Sequence, residues 1–283
     1  MDQSMAESAA EAEAHAHHRP GDAPEHVGWS KVPQVTAVFW IVKVLTTGMG
    51  ETASDYLGRS LGPIPAGGLG FVGLVVALVL QLRSARYQPW TYWSAIVMVS
   101  VFGTMVADVI HVIAGIPYTV STVVFTLALG GVFVAWYSSE RTLSIHAIRT
   151  RRRETFYWAT VLITFALGTA VGDLTAGTLG LGYFTSGCLF TVLIAVPALS
   201  RSVFGLNSVA AFWWAYILTR PLGASFADWM GVPAARHGLG WGTGPVTLAL
   251  IVPIAVLVGY LAARHNKRND LIENFASTRH PQA

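Results

Sequence analysis

The sequence is poor in charge and almost free of cysteine. Only 12% of its 283 residues are charged, whereas 53% are hydrophobic, and the mean hydropathy is +0.51. Soluble domains carry about 25% charged residues, so a water-soluble fold is not expected. The single cysteine, Cys188, excludes a disulfide framework and a Cys-based metal site, and its apolar surroundings in the sequence predict a small core residue. The chain also lacks a nucleotide-binding motif.

Eight apolar segments dominate the chain, and several reach the roughly 20 residues that a helix needs to cross a bilayer. They lack the alternation that a membrane barrel requires, and a backbone in lipid must satisfy its own hydrogen bonds. The expected fold class is therefore an all-α integral membrane bundle of eight transmembrane helices. The predicted spans are 33–57, 67–85, 90–114, 117–137, 155–177, 179–200, 206–230 and 242–264.

The segments outside the spans are predicted to be tails. Residues 1–30 have no apolar core of a signal peptide, and their Glu, Ala, Pro and His content predicts a disordered cytoplasmic tail. Residues 266–283 are predicted to form a second cytoplasmic tail. Histidines beside acidic residues in the first tail are typical either of weak transition-metal binding or of a solvated segment. These histidines are His15, His17, His18 and His26.

The basic residues predict the orientation of the chain. Most of the 18 Lys and Arg precede the first span or follow the even-numbered spans, and basic loops stay in the cytoplasm. This pattern predicts a multi-pass protein of a bacterial inner membrane with both termini in the cytoplasm. The three consecutive arginines at 151–153 are interpreted as a topology anchor that also favours anionic lipid. The pI of about 9.1 follows from this asymmetry and requires no nucleic-acid partner.

One pattern recurs on the four odd-numbered spans: an aromatic residue, Trp, nine residues, Gly, four residues, Asp. Each copy contains two helices, so successive copies enter the membrane from the same side, which predicts four parallel repeats in a pseudo-symmetric bundle. The predicted repeats span 33–85, 86–140, 153–201 and 206–264. The recurring residues are Trp40, Trp93, Trp158 and Trp213, then Gly50, Gly103, Gly168 and Gly223, then Asp55, Asp108, Asp173 and Asp228.

This repeat resembles the unit of a bacterial family of integral membrane proteins of unknown function. That family is built from four tandem two-helix repeats with a characteristic tryptophan. The resemblance covers roughly residues 33–264. It implies the eight-helix architecture and supplies no activity, so a function has to be argued from the residues themselves.

The repeated residues predict a polar interior. On a helix that turns about 100° per residue, the Trp, the Asp and the residue after Gly share one face, with the Asp about 22 Å beyond the Trp. A charge against lipid costs about 3 kcal/mol, so the aspartates are expected to face the bundle interior or a hydrated cavity. The tryptophans are interpreted as interface anchors or as cavity-lining residues, and the glycines as close helix contacts. The other predicted cavity-lining residues are Thr47, Ser100, Thr104 and Thr169.

Acidic residues outnumber basic residues inside the spans. Bound cations, protonated carboxyl groups or a water-filled vestibule would each explain this excess. Lys43 and Arg220 are predicted to compensate neighbouring carboxylates, and Pro221 is predicted to kink its helix. His111 follows Asp108 by three residues and is either an ion or proton partner or a local hydrogen-bond partner. The predicted ion-binding or proton-coupling residues are Asp55, Asp108, Asp173, Asp228, Glu51 and His111.

The first function hypothesis is a secondary transporter for a cation, driven by an ion or proton gradient. Oxygen ligands without cysteine suit hard divalent ions such as Mn²⁺ or Mg²⁺, and protons are the alternative coupled ion. A small organic cation held by aromatic rings is the second substrate class. No resident cofactor is expected, and the hypothetical metal ligands are Glu51, Asp55, Asp108, Asp173 and Asp228.

Parts of the sequence also suggest two other classes of function. A membrane sensor or anchor would bind a partner through its cytoplasmic basic loop or tail, and would use the repeats only to build a stable bundle. An intramembrane aspartic protease is disfavoured because Ala170 replaces a motif glycine before Asp173, and because a dyad needs two aspartates where this chain repeats four. The chain is therefore not expected to be an enzyme. The sequence leaves its oligomeric state open.

Overall fold

The computed structural model describes residues 30–205 and 207–279, so the predicted tail 1–30, apart from its last residue, lies outside the described residues. Within this part, the chain forms eight α-helices and no strand. Single π-helical turns, Val109–Ile113 and Leu174–Thr178, extend α3 and α5. The helices are α1 (Ala37–Leu61), α2 (Pro63–Arg83), α3 (Pro89–Asp108), α4 (Tyr118–Glu140), α5 (Arg151–Asp173), α6 (Tyr183–Phe204), α7 (Ser208–Gly231) and α8 (Thr243–Arg279).

Local residue chemistry fixes where several helices begin. Thr36 and Thr150 cap α1 and α5 through their hydroxyls, each accepting a hydrogen bond of 3.3 Å from a backbone N–H three residues later. Asn207 caps α7 in the same way through Val209 N at 2.8 Å. Pro63 stands in the first turn of α2, where its missing N–H costs nothing. These caps therefore fix helix ends close to those of the predicted spans.

Five of the described helices are long and apolar enough to cross a membrane: α2, α3, α4, α5 and α8, with α3 and α5 taken together with their π-turns. They differ in where they lie in the fold. In their most apolar segments α3 and α5 are 56% and 67% buried, whereas α2, α4 and α8 are 22%, 17% and 17% buried. Odd-numbered helices therefore build the interior, and even-numbered helices present apolar residues outward.

The odd-numbered helices form a closed ring. Helix α1 contacts α3, α3 contacts α5, α5 contacts α7, and α7 returns to α1. Each even-numbered helix packs mainly against the odd-numbered helix that follows it, and α8 packs against α1 to complete the circuit. The repeats thus follow one another around an axis, and the side chains on the inner face of the ring define the interior of the protein.

The repeat glycines are the points where the ring helices touch, which confirms the predicted close contacts. At each junction, the glycine of one helix faces the residue three before the glycine of the next helix, and a Cβ there would collide with that residue or press closely against it. The pattern closes from the fourth repeat to the first. The pairs are Gly50 with Ser100, Gly103 with Phe165, Gly168 with Arg220, and Gly223 with Thr47.

A buried polar network fixes the segment ahead of α1. Lys31 Nζ lies 2.6 Å from Glu154 Oε2, and Gln81 Nε2 donates to Glu154 Oε1 at 3.0 Å. A backbone hydrogen bond holds the same segment, because Tyr87 N donates to Ser30 O at 3.0 Å. Lys31 precedes the first predicted span, and the sequence pattern does not predict its contact with Glu154. The pair holds the segment just ahead of α1 against α2 and α5.

Cys188 corrects one expectation, because it is exposed on α6 and does not belong to the core. The residues that α6 buries against α7 stand just beside it in the sequence, at Ser186, Gly187 and Phe190. The apolar sequence around Cys188 does not distinguish the buried face of α6 from its exposed face, because an outer helix with an apolar outer face is hydrophobic on both sides.

Candidate functional site

The Arg220 side chain joins all four repeats inside the ring. Its guanidinium is fully buried, and Nη2 donates hydrogen bonds to Glu51 Oε2, to Thr104 Oγ1 and, at 2.8 Å, to Thr169 Oγ1. The three acceptors belong to the first, second and third repeats, and each directly follows the repeat glycine. We refer to Arg220, Glu51, Thr104 and Thr169 as the Arg220 node.

Repeat geometry explains why these residues meet. Arg220 stands three residues before its own glycine, four residues short of the position that the acceptors occupy in their repeats. Four residues of helix rise about 6 Å, a distance that an arginine side chain spans. The absence of a side chain at Gly168 leaves the space through which Arg220 passes. The node is thus a consequence of one long side chain on a ring of similar helices.

The four repeat aspartates gather one turn beyond the node. Charge–charge interactions link each of them to Glu51, and Asp173 also interacts with Asp108 and Asp228. Asp228 is buried, with 7% of its surface exposed, whereas the other three are partly exposed. We call this group of five carboxylates the acidic mouth; it consists of Glu51, Asp55, Asp108, Asp173 and Asp228.

The polar contacts of the acidic mouth are few. Asp55 pairs with Arg59 one turn later, with 2.5 Å between Oδ2 and Nη2, and more than half of the Arg59 side chain is exposed. Ser54 Oγ donates to Asp108 Oδ2 at 3.4 Å across the junction of α1 and α3. The carboxylates therefore share one end of the ring with Arg220 and Arg59 as the basic residues bonded to them in the described chain.

The acidic mouth does not form a direct metal site. Within residues 30–205 and 207–279, no three His, Cys, Asp or Glu side chains lie close enough to hold a metal ion. The hypothetical metal ligands Glu51, Asp55, Asp108, Asp173 and Asp228 are therefore not brought into one coordination shell. The four aspartates lie on four different ring helices. Their charges therefore interact, although their side chains do not meet at one ion-binding position.

His111 makes its polar contact away from Asp108. Its Nε2 lies 2.5 Å from Ser121 Oγ at the start of α4, and its ring packs 4.0 Å from the ring of Tyr118. The π-turn that begins at Val109 widens the helix, so a spacing of three residues no longer places two side chains one above the other. His111 thus links α3 to α4 beside the acidic mouth.

Lys43 does not compensate a carboxylate. It is 1% exposed, and its Nζ lies 4.2 Å from the ring centroid of Phe165 and 4.3 Å from that of Tyr216. Among the described residues this ammonium group has no hydrogen-bond partner. Glu51, eight residues or about 12 Å further along the same helix, is already bound to Arg220.

The repeat tryptophans lie at the other end of the ring. Trp93, Trp158 and Trp213 are buried among aromatic rings, which is not the placement of interface anchors, while Trp40 is half-buried. The hydroxyls of Tyr92 and Tyr157 meet there at 2.5 Å. Trp40 lines a cavity of about 500 Å³ between α1, α6 and α7, outside the ring.

The predicted cavity-lining hydroxyls are buried inside the ring and hydrogen-bonded. Thr104 and Thr169 belong to the Arg220 node. Thr47 Oγ1 donates to Thr219 O of α7 at 3.0 Å, and Ser100 Oγ to Thr47 O at 3.5 Å. These hydroxyls therefore fasten neighbouring ring helices to one another.

Fold and site together define an all-helical protein of four tandem repeats whose inner helices close into a ring. The model of a protein family described as "Repeat of Unknown Function (DUF347)" matches residues 38–87, 91–142, 156–204 and 211–266. The chain belongs to this family, which confirms the resemblance to a four-repeat family of unknown function. Neither the curated proteins nor the solved structures contain a match.

Proposed function

We propose that the eight helices cross a bacterial inner membrane, with both termini in the cytoplasm. The outer helices support this proposal, because they expose large apolar side chains such as Val72, Leu127 and Val252 at 58%, 71% and 64%. The basic loops lie at the tryptophan ends of the ring helices, and basic loops are typical of the cytoplasmic side of a membrane protein. In this orientation the acidic mouth opens toward the outer side.

The function that the site supports best is secondary transport of a small cation. The observation that carries this proposal is the acidic mouth, in which five carboxylates of four repeats interact at one end of the ring. Carboxylates that are crowded at a partly buried site repel one another when they are ionised, and a cation or a proton that enters relieves this repulsion. Such a mouth concentrates cations and repels anions.

The Arg220 node is the gate of the proposed pathway. Glu51 belongs both to the node and to the acidic mouth, so an entering cation competes with the guanidinium for the same carboxylate. Once that bond weakens, the one side chain that holds all four repeats loses its strongest partner. The ring helices are then free to part on the cytoplasmic side while the mouth closes around the ion, as in alternating access.

The spacing of the carboxylates limits the substrate. A cation that meets separated carboxylates keeps part of its water shell, which suits Mg²⁺ or Mn²⁺ bound through water, or protons that pass between carboxyl groups. Small organic cations form the second substrate class, because aromatic rings fill the ring beyond the node. No nucleotide-binding motif is present in the sequence, so an ion gradient supplies the energy.

Reconstitution tests this proposal. Wild-type protein in proteoliposomes is screened for gradient-driven uptake of H⁺, Na⁺, K⁺, Mg²⁺, Mn²⁺ and small organic cations. We expect uptake of at least one cation, and its loss in Asp108→Asn and Asp173→Asn. Asp270→Asn is the matched control, because Asp270 is exposed on the last turns of α8. The absence of uptake of every tested cation by the wild type would contradict transport and would favour a sensor or anchor. Flux that is unchanged in both mouth variants would contradict the acidic mouth as the pathway.

A further inference from the structure

At the Arg220 node and on its tryptophan side, the interior of the ring holds two buried basic side chains and one acidic side chain. Lys43 and Arg220 are 1% and 0% exposed, and they interact electrostatically. Glu51 is bonded to Arg220, and Asp55 lies twelve residues, or about 18 Å, from Lys43 along α1. On the other side, Glu154 is paired with Lys31. Within the described residues, Lys43 thus has no paired carboxylate.

The same region contains hydrogen-bond donors that lack acceptors. Buried donors nearly always have a partner in folded proteins, and an unpaired buried charge is costly. In the described chain, Nζ of Lys43 and both Nε and Nη1 of Arg220 make no hydrogen bond. The indole N–H group of Trp158, at the adjacent end of the ring, is also unpartnered there.

Aromatic rings do not supply the missing charge partner or the missing hydrogen-bond acceptors. Lys43 Nζ lies 4.2 Å and Arg220 Cζ lies 5.6 Å from the ring centroid of Phe165, so both basic side chains lie near one aromatic ring. A ring face attracts a cation, but it neither neutralises the charge nor accepts a normal hydrogen bond. The site therefore offers N–H groups without acceptors, and a protonated Lys43 without a counter-ion, both of which match a small anion.

We propose that one small monovalent anion, of the chloride type, binds beside Lys43 and accepts hydrogen bonds from Lys43 and Arg220. The one charge of a protonated Lys43 matches a monovalent ion, and the rings of Phe165 and Tyr216 lie beside its ammonium group. The proposal shares Arg220 with the node but does not rest on the acidic mouth. Its test measures chloride-dependent stability and not cation flux, so the two proposals can fail separately.

Chloride titration of the full chain in detergent tests this site. Sodium chloride replaces sodium gluconate at constant ionic strength, and thermal unfolding is followed. The chain has three lysines, so Lys43→Met has a matched control in Lys267→Met, whose side chain is exposed. We expect a saturable rise in Tm, of the order of 5 °C, in the wild type and in Lys267→Met, and none in Lys43→Met.

The chloride-free state gives a second readout. Lys43→Met removes a buried amino group that has no hydrogen-bond partner among the described residues, so without chloride it is expected to be at least as stable as the wild type. An equal response of all three proteins to chloride would overturn the proposal. A bromide soak of wild-type crystals tests it without any variant: an anomalous peak within hydrogen-bond distance of Lys43 Nζ supports the site, and no peak there overturns it.

Discussion

The Arg220 guanidinium and the Glu51 carboxylate form a buried ion pair across the junction of the last and first repeats, 169 residues apart in the chain. The same junction is closed by the contact of Gly223 with Thr47. Because Arg220 also reaches Thr104 and Thr169, one side chain connects the first and last repeats with the second and third repeats. The stability of the ring and the proposed gate therefore depend on the same contacts.

Replacing Arg220 should destabilise the protein more than a typical core substitution. Arg220→Leu leaves Glu51 buried without its partner, which costs about 3–5 kcal/mol of unfolding free energy. The double variant Glu51→Leu with Arg220→Leu is expected to recover most of that loss, because no charge is then left unpaired. Denaturant unfolding in detergent measures both. An Arg220→Leu protein as stable as the wild type would rule out the node as described.

Closure of the ring can be tested with two glycines. In Gly223→Ala, the added Cβ would lie 2.7 Å from Val44 O and 3.0 Å from Gly48 N, which are backbone atoms that cannot turn aside. Overpacking of this kind costs about 1–3 kcal/mol, so a lower Tm is expected. Gly67→Ala on α2 is the control, since nothing lies within 4 Å of its Cβ. Equal Tm changes in the two variants would contradict the close junction.

The repeat pattern made much of this architecture predictable. The spacing of Trp, Gly and Asp is a helical periodicity, so it predicted which spans form the interior and which glycines touch. Helix ends were less predictable: α6 begins at Tyr183 and not at 179, because the π-turn Leu174–Thr178 and glycines with positive φ at Gly180 and Gly182 occupy that stretch.

Pairings between distant residues could not be predicted from the spacing. Lys43 and Arg220 were both expected to reach carboxylates, but only Arg220 does, because the ring places the first three repeats around its tip. The contact of Lys31 with Glu154 spans 123 residues and depends on how the ends of α2 and α5 pack. No local sequence pattern predicts this contact.

The Lys31–Glu154 pair should decide how firmly the first described residues are held. Lys31→Met leaves the fully buried Glu154 without its cation, and a loss of about 3–5 kcal/mol is expected. Hydrogen exchange at residues 30–36 should become faster. Arg59→Gln provides the comparison, because an exposed pair contributes less than about 1 kcal/mol. Unchanged exchange in Lys31→Met would show that the pair does not hold the segment.

The single cysteine tests the proposed membrane placement without any substitution. Cys188 is exposed on the outer surface of α6, where the proposal places lipid. A charged, membrane-impermeant maleimide is expected to leave it unlabelled in intact vesicles and to label it after denaturation in detergent. Labelling in sealed vesicles from either side, at the rate of a free thiol in water, would contradict burial of α6 in the bilayer.

Transport currents from proteoliposomes on a solid-supported membrane test the central claim most directly. A jump in the transported cation should give a current with the wild type and with Asp270→Asn. Each of Asp55→Asn, Asp108→Asn, Asp173→Asn and Asp228→Asn should lower it at least tenfold while the protein stays folded. Currents of wild-type size in all four variants would contradict the claim that the acidic mouth carries the ion.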